Sequence, residues 1–248
     1  MTIHPELQNA FAQGTALKII SGLTNFQRDR VASIVKAAEL GGATFVDIAA
    51  SPDLVTLAKQ VSQCPVCVSA VEPELFVDCV AAGADLLEIG NFDAFYAVGR
   101  RFEAEEVLVL TRRTRELLPH TTLSVTVPHI LPLDQQVRLA EQLVQAGADL
   151  IQTEGGTSSQ PSHAGTLGLI EKAAPTLAAA YEISHAVTVP VLCASGISNV
   201  TAPLAIAAGA AGVGVGSAVN QLNSEIAMVA AVRAIAESLQ KAAKVRAH

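Results

Sequence analysis

The sequence predicts a single-domain α/β protein, a (β/α)8 or TIM barrel over residues 1–248, with a short N-terminal capping segment at 1–15. Three observations predict this fold. A helix-to-strand junction recurs four times, short apolar runs alternate with helical patterns, and glycine-rich turns follow the last two strands. Four near-equivalent two-strand units favour closure into a barrel over the alternative, a doubly wound open sheet.

The recurring junction is a helix that ends in glycine followed by alanine. It occurs at Gly42, Gly83, Gly147 and Gly209. Glycine is the residue that most readily adopts the left-handed backbone that ends a helix. Each junction leads at once into an apolar run, which we interpret as an even-numbered strand: 44–48, 86–90, 150–153 and 212–216.

The odd-numbered strands are predicted between these runs, at 17–21, 65–70, 122–127 and 189–194. Helical patterns separate the strands, among them 28–40, 73–82, 133–146 and 223–240. Strands that are apolar on both faces are typical of a parallel sheet covered by helices. Residues 1–14 are expected to cap the floor of the barrel.

Composition restricts the partners. Half of the residues are hydrophobic, 16% are charged and the formal net charge is -7. The basic residues form no stripe, so we expect no nucleic-acid partner. No apolar run reaches about 18 residues and the N-terminus has no signal-like segment, which predicts no membrane partner and a cytoplasmic location.

Two of the four cysteines form a CxxC motif, Cys64 to Cys67. Such a motif is typical of redox pairs at helix N-termini and of half zinc sites. Here it leads out of a helix and into a strand, and no second CxxC or paired histidines complete a zinc site. We therefore expect buried, reduced thiols, including Cys79 and Cys193.

Glycine turns after the last two strands predict a phosphate site. Gly196 lets the backbone approach an anion, and Ile197 and Ser198 can offer N–H groups. Gly216 and Ser217 open toward a helix N-terminus, which favours an anion. We expect a small phosphorylated molecule there. The alternative is that these glycines serve only tight packing.

Polar residues at strand ends are the catalytic candidates, because burying charge in an apolar barrel is costly without a partner or a purpose. They are Lys18, Asp47, Glu88, His129 and Glu154. Asp47, Glu88 and Glu154 come from alternate strands and are expected to share one layer, near Lys18. Such a group is either an acid/base device or an ion-pair network that fills the barrel.

His129 is the preferred group to titrate near neutral pH, although a lone histidine is more often structural. Metal binding by Asp47, Glu88, His129 and Glu154 is an alternative. No closely spaced ligand pair supports it, so no metal site is assigned. The polar loop at 154–165 lies where barrel enzymes carry a closing lid, and its alternative is a solvated connector.

Several segments resemble an uncharacterised family, the hypothetical chloroplast reading frame (ycf) family number twenty-three, or domain of unknown function 561. These segments are 18–25, 39–44, 88–93, 126–131 and 151–155. The resemblance covers essentially the whole chain. It implies a phosphate-binding barrel from a cyanobacterium or an algal plastid, hence cyanobacterial cytoplasm or plastid stroma, and it supplies no established reaction.

Three functions compete. The first is an enzyme acting on a small phosphorylated metabolite by acid/base chemistry of isomerase, lyase or synthase type. The second is an FMN-binding oxidoreductase, although the first strand lacks the proline-rich start that flavin barrels would lead us to expect, and the sequence requires no cofactor. The third is a non-catalytic sensor of a phosphometabolite. Apolar helix exteriors also predict a homo-oligomer.

Overall fold

A computed structural model describes residues 5–96, 98–155 and 159–246. Eight strands follow one another in chain order around a closed barrel, and every neighbouring pair is parallel. The strands are β1 (Ala16–Gly22), β2 (Phe45–Ala49), β3 (Val66–Ala70), β4 (Leu86–Ile89), β5 (Thr122–Thr126), β6 (Leu150–Gln152), β7 (Val191–Ala194) and β8 (Gly212–Val215). The predicted fold class is confirmed.

Helices surround the barrel in the order expected. They are α1 (Pro5–Gln13), α2 (Arg28–Gly41), α3 (Pro52–Val61), α4 (Leu75–Ala81), α5 (Asp93–Tyr96), α6 (Ala104–Leu117), α7 (Leu133–Gln145), α8 (Gly165–Ala186), α9 (Ala202–Ala207), α10 (Ser217–Asn220) and α11 (Glu225–Arg246). β7 begins two residues later than predicted, after Pro190, which has no N–H to donate to a ladder.

All four junction glycines have the left-handed backbone that the repeat predicts. The φ angles are +86° at Gly42, +105° at Gly83, +104° at Gly147 and +98° at Gly209. A side chain is strained in this region. The repeat therefore marks four helix ends that turn directly into the even-numbered strands.

The first helix, α1, lies at the amino-terminal end of the barrel. Leu7 and Phe11 of α1 pack against Phe45, Leu86 and other residues at the starts of the strands. A second, larger apolar layer lies between the strands and the outer helices. Because the floor is closed, the carboxyl ends of the strands form the open face of the barrel.

The CxxC cysteines point to different sides of the barrel wall. Cys67 belongs to the cluster on the barrel floor, whereas Cys64 belongs to the outer layer and points its Sγ at the carbonyl of Ala43. All four cysteines are buried. No helix in the described part of the chain has the length and apolar character to cross a bilayer.

Candidate functional site

A cluster of charged and polar side chains fills the middle of the barrel. Lys18, Asp47 and Glu88 are fully buried, and Gln152 is 1% exposed. The Lys18 ammonium forms an ion pair with Glu88, donates to Gln152 Oε1 at 3.0 Å and lies 3.7 Å from Asp47. Gln152 donates in turn to Glu88 Oε1 at 2.7 Å. We call these four residues the deep cluster.

Side chains alternate between the two faces of a strand, and this alternation points the residues of the deep cluster into the barrel. Asp47, Glu88 and Gln152 occupy inward positions of β2, β4 and β6, and Gly214 is the corresponding residue of β8, without a side chain. The expectation that Glu154 shares this layer is wrong. β6 ends at Gln152, so Glu154 lies two residues beyond it, above the layer.

Burial and charge pairing together shift the pKa values of Lys18 and Asp47. Burial lowers the pKa of Lys18, but Asp47 and Glu88 raise it more, so that it lies well above its usual range. Burial, helped by the charge of Glu88, raises the pKa of Asp47 to about 6, although Lys18 opposes this. Lys18 thus stays charged, while Asp47 titrates close to the physiological range.

Asn91 joins the deep cluster to the open face. Its φ is +59°, a backbone conformation uncommon outside glycine. The side-chain amide donates to Asp47 Oδ2 at 3.2 Å, to Ser69 Oγ at 3.1 Å and, more weakly, to Glu88 Oε1 at 3.4 Å. One amide therefore serves both carboxylates from above.

A second group of titratable side chains lies above the deep cluster, and we call it the upper cluster: Asp93, Tyr96, His129 and Glu154. Glu154 Oε1 accepts from the Tyr96 hydroxyl at 2.7 Å and from the His129 backbone N–H at 3.2 Å, and it lies 3.1 Å from His129 Nδ1. Asp93 Oδ1 is 3.5 Å from that nitrogen.

Burial dominates the electrostatics of the upper cluster. It raises the pKa of Glu154, which is 5% exposed, above its ordinary value. Burial alone would lower the pKa of His129, but its hydrogen bond to Glu154 and the charges of Glu154 and Asp93 raise it overall. A carboxyl group and an imidazole in contact can therefore share or exchange a proton.

A cavity of about 320 Å³ opens at the carboxyl ends of the strands. Residues from both halves of the barrel line it, namely Ile20, Asn91, Asp93, Gln152, Thr153, Glu154, Lys172, Ala194, Ser195, Gly196, Ile197, Gly216, Ser217 and Gln221. A more open depression of about 910 Å³ lies at the opposite end, beside α1 and α11. It contains no part of either cluster.

Four of the five predicted phosphate-site residues line this cavity: Gly196, Ile197, Gly216 and Ser217. Ser198 does not, and its N–H donates to Thr201 Oγ1 at 2.9 Å. Gly196 has a φ of +74°, and a Cβ there would meet the Lys172 carbonyl oxygen at 2.8 Å. Tight packing therefore requires Gly196, whatever binds beside it.

Of the five catalytic candidates, only Glu154 lines the cavity. His129 lies directly behind it, and Lys18, Asp47 and Glu88 lie deeper, behind Gln152 and Asn91. Part of the predicted lid, 156–158, lies outside the described residues. In the described part of that loop, Ser159 donates to the Lys172 carbonyl at 3.0 Å.

Asp93, Tyr96 and Lys172 are among the site residues that were not predicted from the sequence. Asp93 follows the 86–90 run by three residues, so its position after a strand was a usable signal. Tyr96 offered none. Lys172 lies in the middle of α8 and reaches the cavity only through the packing of that helix.

The closed parallel barrel with polar groups at the carboxyl ends of its strands is a TIM barrel. The chain belongs to the family described as "Protein of unknown function (DUF561)", whose model matches residues 3–245. The family resemblance inferred from the sequence is confirmed.

Individual relatives support the same family assignment. The chain is 47% identical over 225 residues to the "Uncharacterized protein ycf23" of Cyanophora paradoxa, covering 90% of this chain and 92% of that one. It is 41% identical over 229 residues to the protein of the same name from Porphyra purpurea, covering 92% and 86%.

Solved structures share the fold at low identity. The wild-type GGGPS from Thermoplasma volcanium has a TM-score of 0.65 at 14% identity, covering 97% of this chain and 98% of that one. A 3-hexulose-6-phosphate synthase has a TM-score of 0.62 at 16% identity, covering 90% and 99%. At these identities the likeness concerns the fold alone.

Proposed function

We propose that the protein is an enzyme that holds a small phosphorylated metabolite in the 320 Å³ cavity and transfers a proton on it, in an isomerase, lyase or synthase type of reaction. One observation carries the proposal. The cavity brings the two glycine turns and Lys172 together with the buried carboxyl group of Glu154. An anion-binding end and an acid/base end thus belong to one space.

The phosphate end combines backbone and charge. Gly196–Ile197 and Gly216–Ser217 line the cavity after β7 and β8, the position where many barrels of this class hold phosphate. Lys172 adds a positive charge, and no ion pair to another described residue neutralises it. The names of barrels with the same fold include a thiamine phosphate pyrophosphorylase and a 3-hexulose-6-phosphate synthase, which act on phosphorylated compounds.

The reactive end is Glu154 with His129 behind it. Glu154 lines the cavity, and burial raises its pKa, which suits a group that takes and returns a proton. His129 Nδ1, 3.1 Å from Glu154 Oε1, can relay that proton. Lys18, Asp47 and Glu88 act from behind, by holding Gln152 and Asn91 in place.

Phosphate binding is tested first, by thermal unfolding in inorganic phosphate against chloride at equal ionic strength. We expect phosphate to raise the Tm in a concentration-dependent way. Lys172→Met should weaken this effect, whereas Lys36→Met, which removes an exposed lysine of α2, should not. A wild-type Tm that does not respond to phosphate would contradict the proposal.

Proton transfer is tested without knowing the reaction. Phosphorylated aldoses, ketoses and keto acids are incubated with the protein in D2O, and exchange of carbon-bound hydrogen is followed by NMR. Glu154→Gln should slow exchange at least about 100-fold. Glu171→Gln is the matched control, because Glu171 forms an exposed pair with His163. Absence of exchange across the whole panel with wild-type protein would count against an enzyme of this type.

A further inference from the structure

We propose that Asp93, His129 and Glu154 form a binding site for a divalent transition-metal cation. The three residues follow three consecutive strands, β4, β5 and β6, at the open face of the barrel. One ligand atom from each lies within 4.8 Å of those of the other two. They are therefore close enough to bind a single cation together.

The spacing of the atoms fits a shared cation. His129 Nδ1 lies 3.1 Å from Glu154 Oε1 and 3.5 Å from Asp93 Oδ1. Nitrogen and oxygen ligands about 2.1 Å from one metal and at right angles to each other are about 3 Å apart. Small side-chain adjustments would thus admit a cation between the three groups.

An independent observation points to a missing ligand. Glu154 Oε2 is buried, and no described residue hydrogen-bonds to it, while Oε1 of the same carboxylate has three contacts. An unsatisfied buried oxygen is costly. Protonation would not remove this cost, because a hydroxyl at Oε2 would itself lack an acceptor among the described residues. A cation held by both oxygens of the Glu154 carboxylate would satisfy Oε2 directly.

Neighbouring groups hold the ligands as the outer partners of a metal site do. The Tyr96 hydroxyl donates to Glu154 Oε1 at 2.7 Å, and the Ser195 hydroxyl donates to Asp93 Oδ2 at 3.1 Å. Such contacts orient metal ligands and are a regular part of metal sites. They leave Asp93 Oδ1 turned toward His129.

The donor set selects the kind of cation. Two carboxylates with one imidazole suit Mn²⁺, Co²⁺, Fe²⁺ or Zn²⁺ better than Ca²⁺ or Mg²⁺, which prefer oxygen alone. Three protein ligands leave positions open, and Asp93 and Glu154 both line the cavity. The cation can therefore take an oxygen of a molecule held there. That last step rests on the proposed function, whereas cation binding does not. With the cation bound, Glu154 and His129 serve as its ligands, so the proton relay proposed above belongs to the cation-free protein.

The test uses metal alone. Full-length protein stripped with a chelator is titrated with Mn²⁺, followed by electron paramagnetic resonance, and with Co²⁺, followed by its visible absorption. We expect one equivalent to bind, and Asp93→Asn, His129→Asn and Glu154→Gln each to weaken binding at least about tenfold. His163→Asn is the control, because His163 pairs with Glu171 at 2.6 Å on the surface.

Two outcomes would overturn the site: no cation uptake by the wild-type protein, or uptake that all three variants retain. Asp93 has the most solvent-exposed side chain of the three, at 26%. We therefore expect Asp93→Asn to disturb folding least. Thermal unfolding of each stripped variant checks its fold. Phosphate-dependent stabilisation, measured on the same samples, keeps failure of the cation site separate from failure of the phosphate site.

Discussion

Lys18 and Glu88, 70 residues apart in the chain, form an ion pair inside the barrel with neither side chain exposed. Asp47 lies 3.7 Å from the same ammonium. The carboxylates of Asp47 and Glu88 thus share one ammonium group, that of Lys18, at a position closed to solvent. Buried pairs of this kind are costly to break, because the remaining partner has no other source of solvation.

Lys18→Met should therefore destabilise the protein by about 3–5 kcal/mol, since it leaves Asp47 and Glu88 without their counter-charge. Urea unfolding measures the loss. The double variant Lys18→Met/Glu88→Gln removes one of the two stranded charges, so we expect it to recover part of the stability. Glu88→Gln is measured alone as well, and a double-variant loss equal to the sum of the two single-variant losses would show that the pair is not coupled.

Asp47 predicts a pH dependence of stability. Its pKa is raised from 3.8 to about 6 in the folded protein, so between these values the folded state binds more protons than the unfolded one. Stability contributed by this group is thus present at acid pH and is lost as the pH rises from about 4 to about 6.

Asp47→Asn removes that titration. At 1.36 kcal/mol for each unit of pKa shift, the variant should gain about 2.5 kcal/mol relative to the wild type between pH 4 and pH 7. Urea unfolding of both proteins across this range measures the difference. A difference that does not change with pH would contradict the raised pKa.

The two glycine turns should respond differently to alanine. Gly196 has a φ of +74°, and a Cβ would lie 2.8 Å from the Lys172 carbonyl oxygen, so Gly196→Ala should cost about 1–3 kcal/mol. At Gly216 a Cβ would meet nothing closer than 3.6 Å. Gly216→Ala should therefore have a urea unfolding midpoint close to that of the wild type. It should bind phosphate more weakly, because its methyl group takes up space beside the cavity.

Ser195 combines a strained backbone with a contact to the upper cluster. Its φ is +74°, and its hydroxyl donates to Asp93. Ser195→Gly and Ser195→Ala both remove the hydroxyl, but only glycine relieves the strain. We expect Ser195→Gly to be more stable than Ser195→Ala by about 1 kcal/mol. Both variants should bind Mn²⁺ more weakly than the wild type, because both lack the hydroxyl that orients Asp93. Equal stabilities would show that the backbone carries no strain.

The sequence predicted the barrel well because its signals are local. Each junction glycine, such as Gly83 or Gly147, ends a helix through its own backbone conformation. Lys18, Asp47 and Glu88 were selected as catalytic candidates because charged residues are rare inside apolar strands.

The site was predicted less well because its geometry is not local. Glu154 was assigned to the wrong layer, since the apolar run does not reveal that β6 ends at Gln152. Lys172 was missed because only the packing of α8 brings it to the cavity.

Gln152 and Asn91 both line the cavity, and their side-chain amides donate to Glu88 and to Asp47, respectively. Neither carboxamide gains or loses a proton in the physiological range. Neither side chain can therefore pass a proton between the buried carboxylates and the cavity. Lys18, Asp47 and Glu88 therefore act on a molecule in the cavity through the electric field of their charges, and we expect a proton that reacts there to come from the groups above.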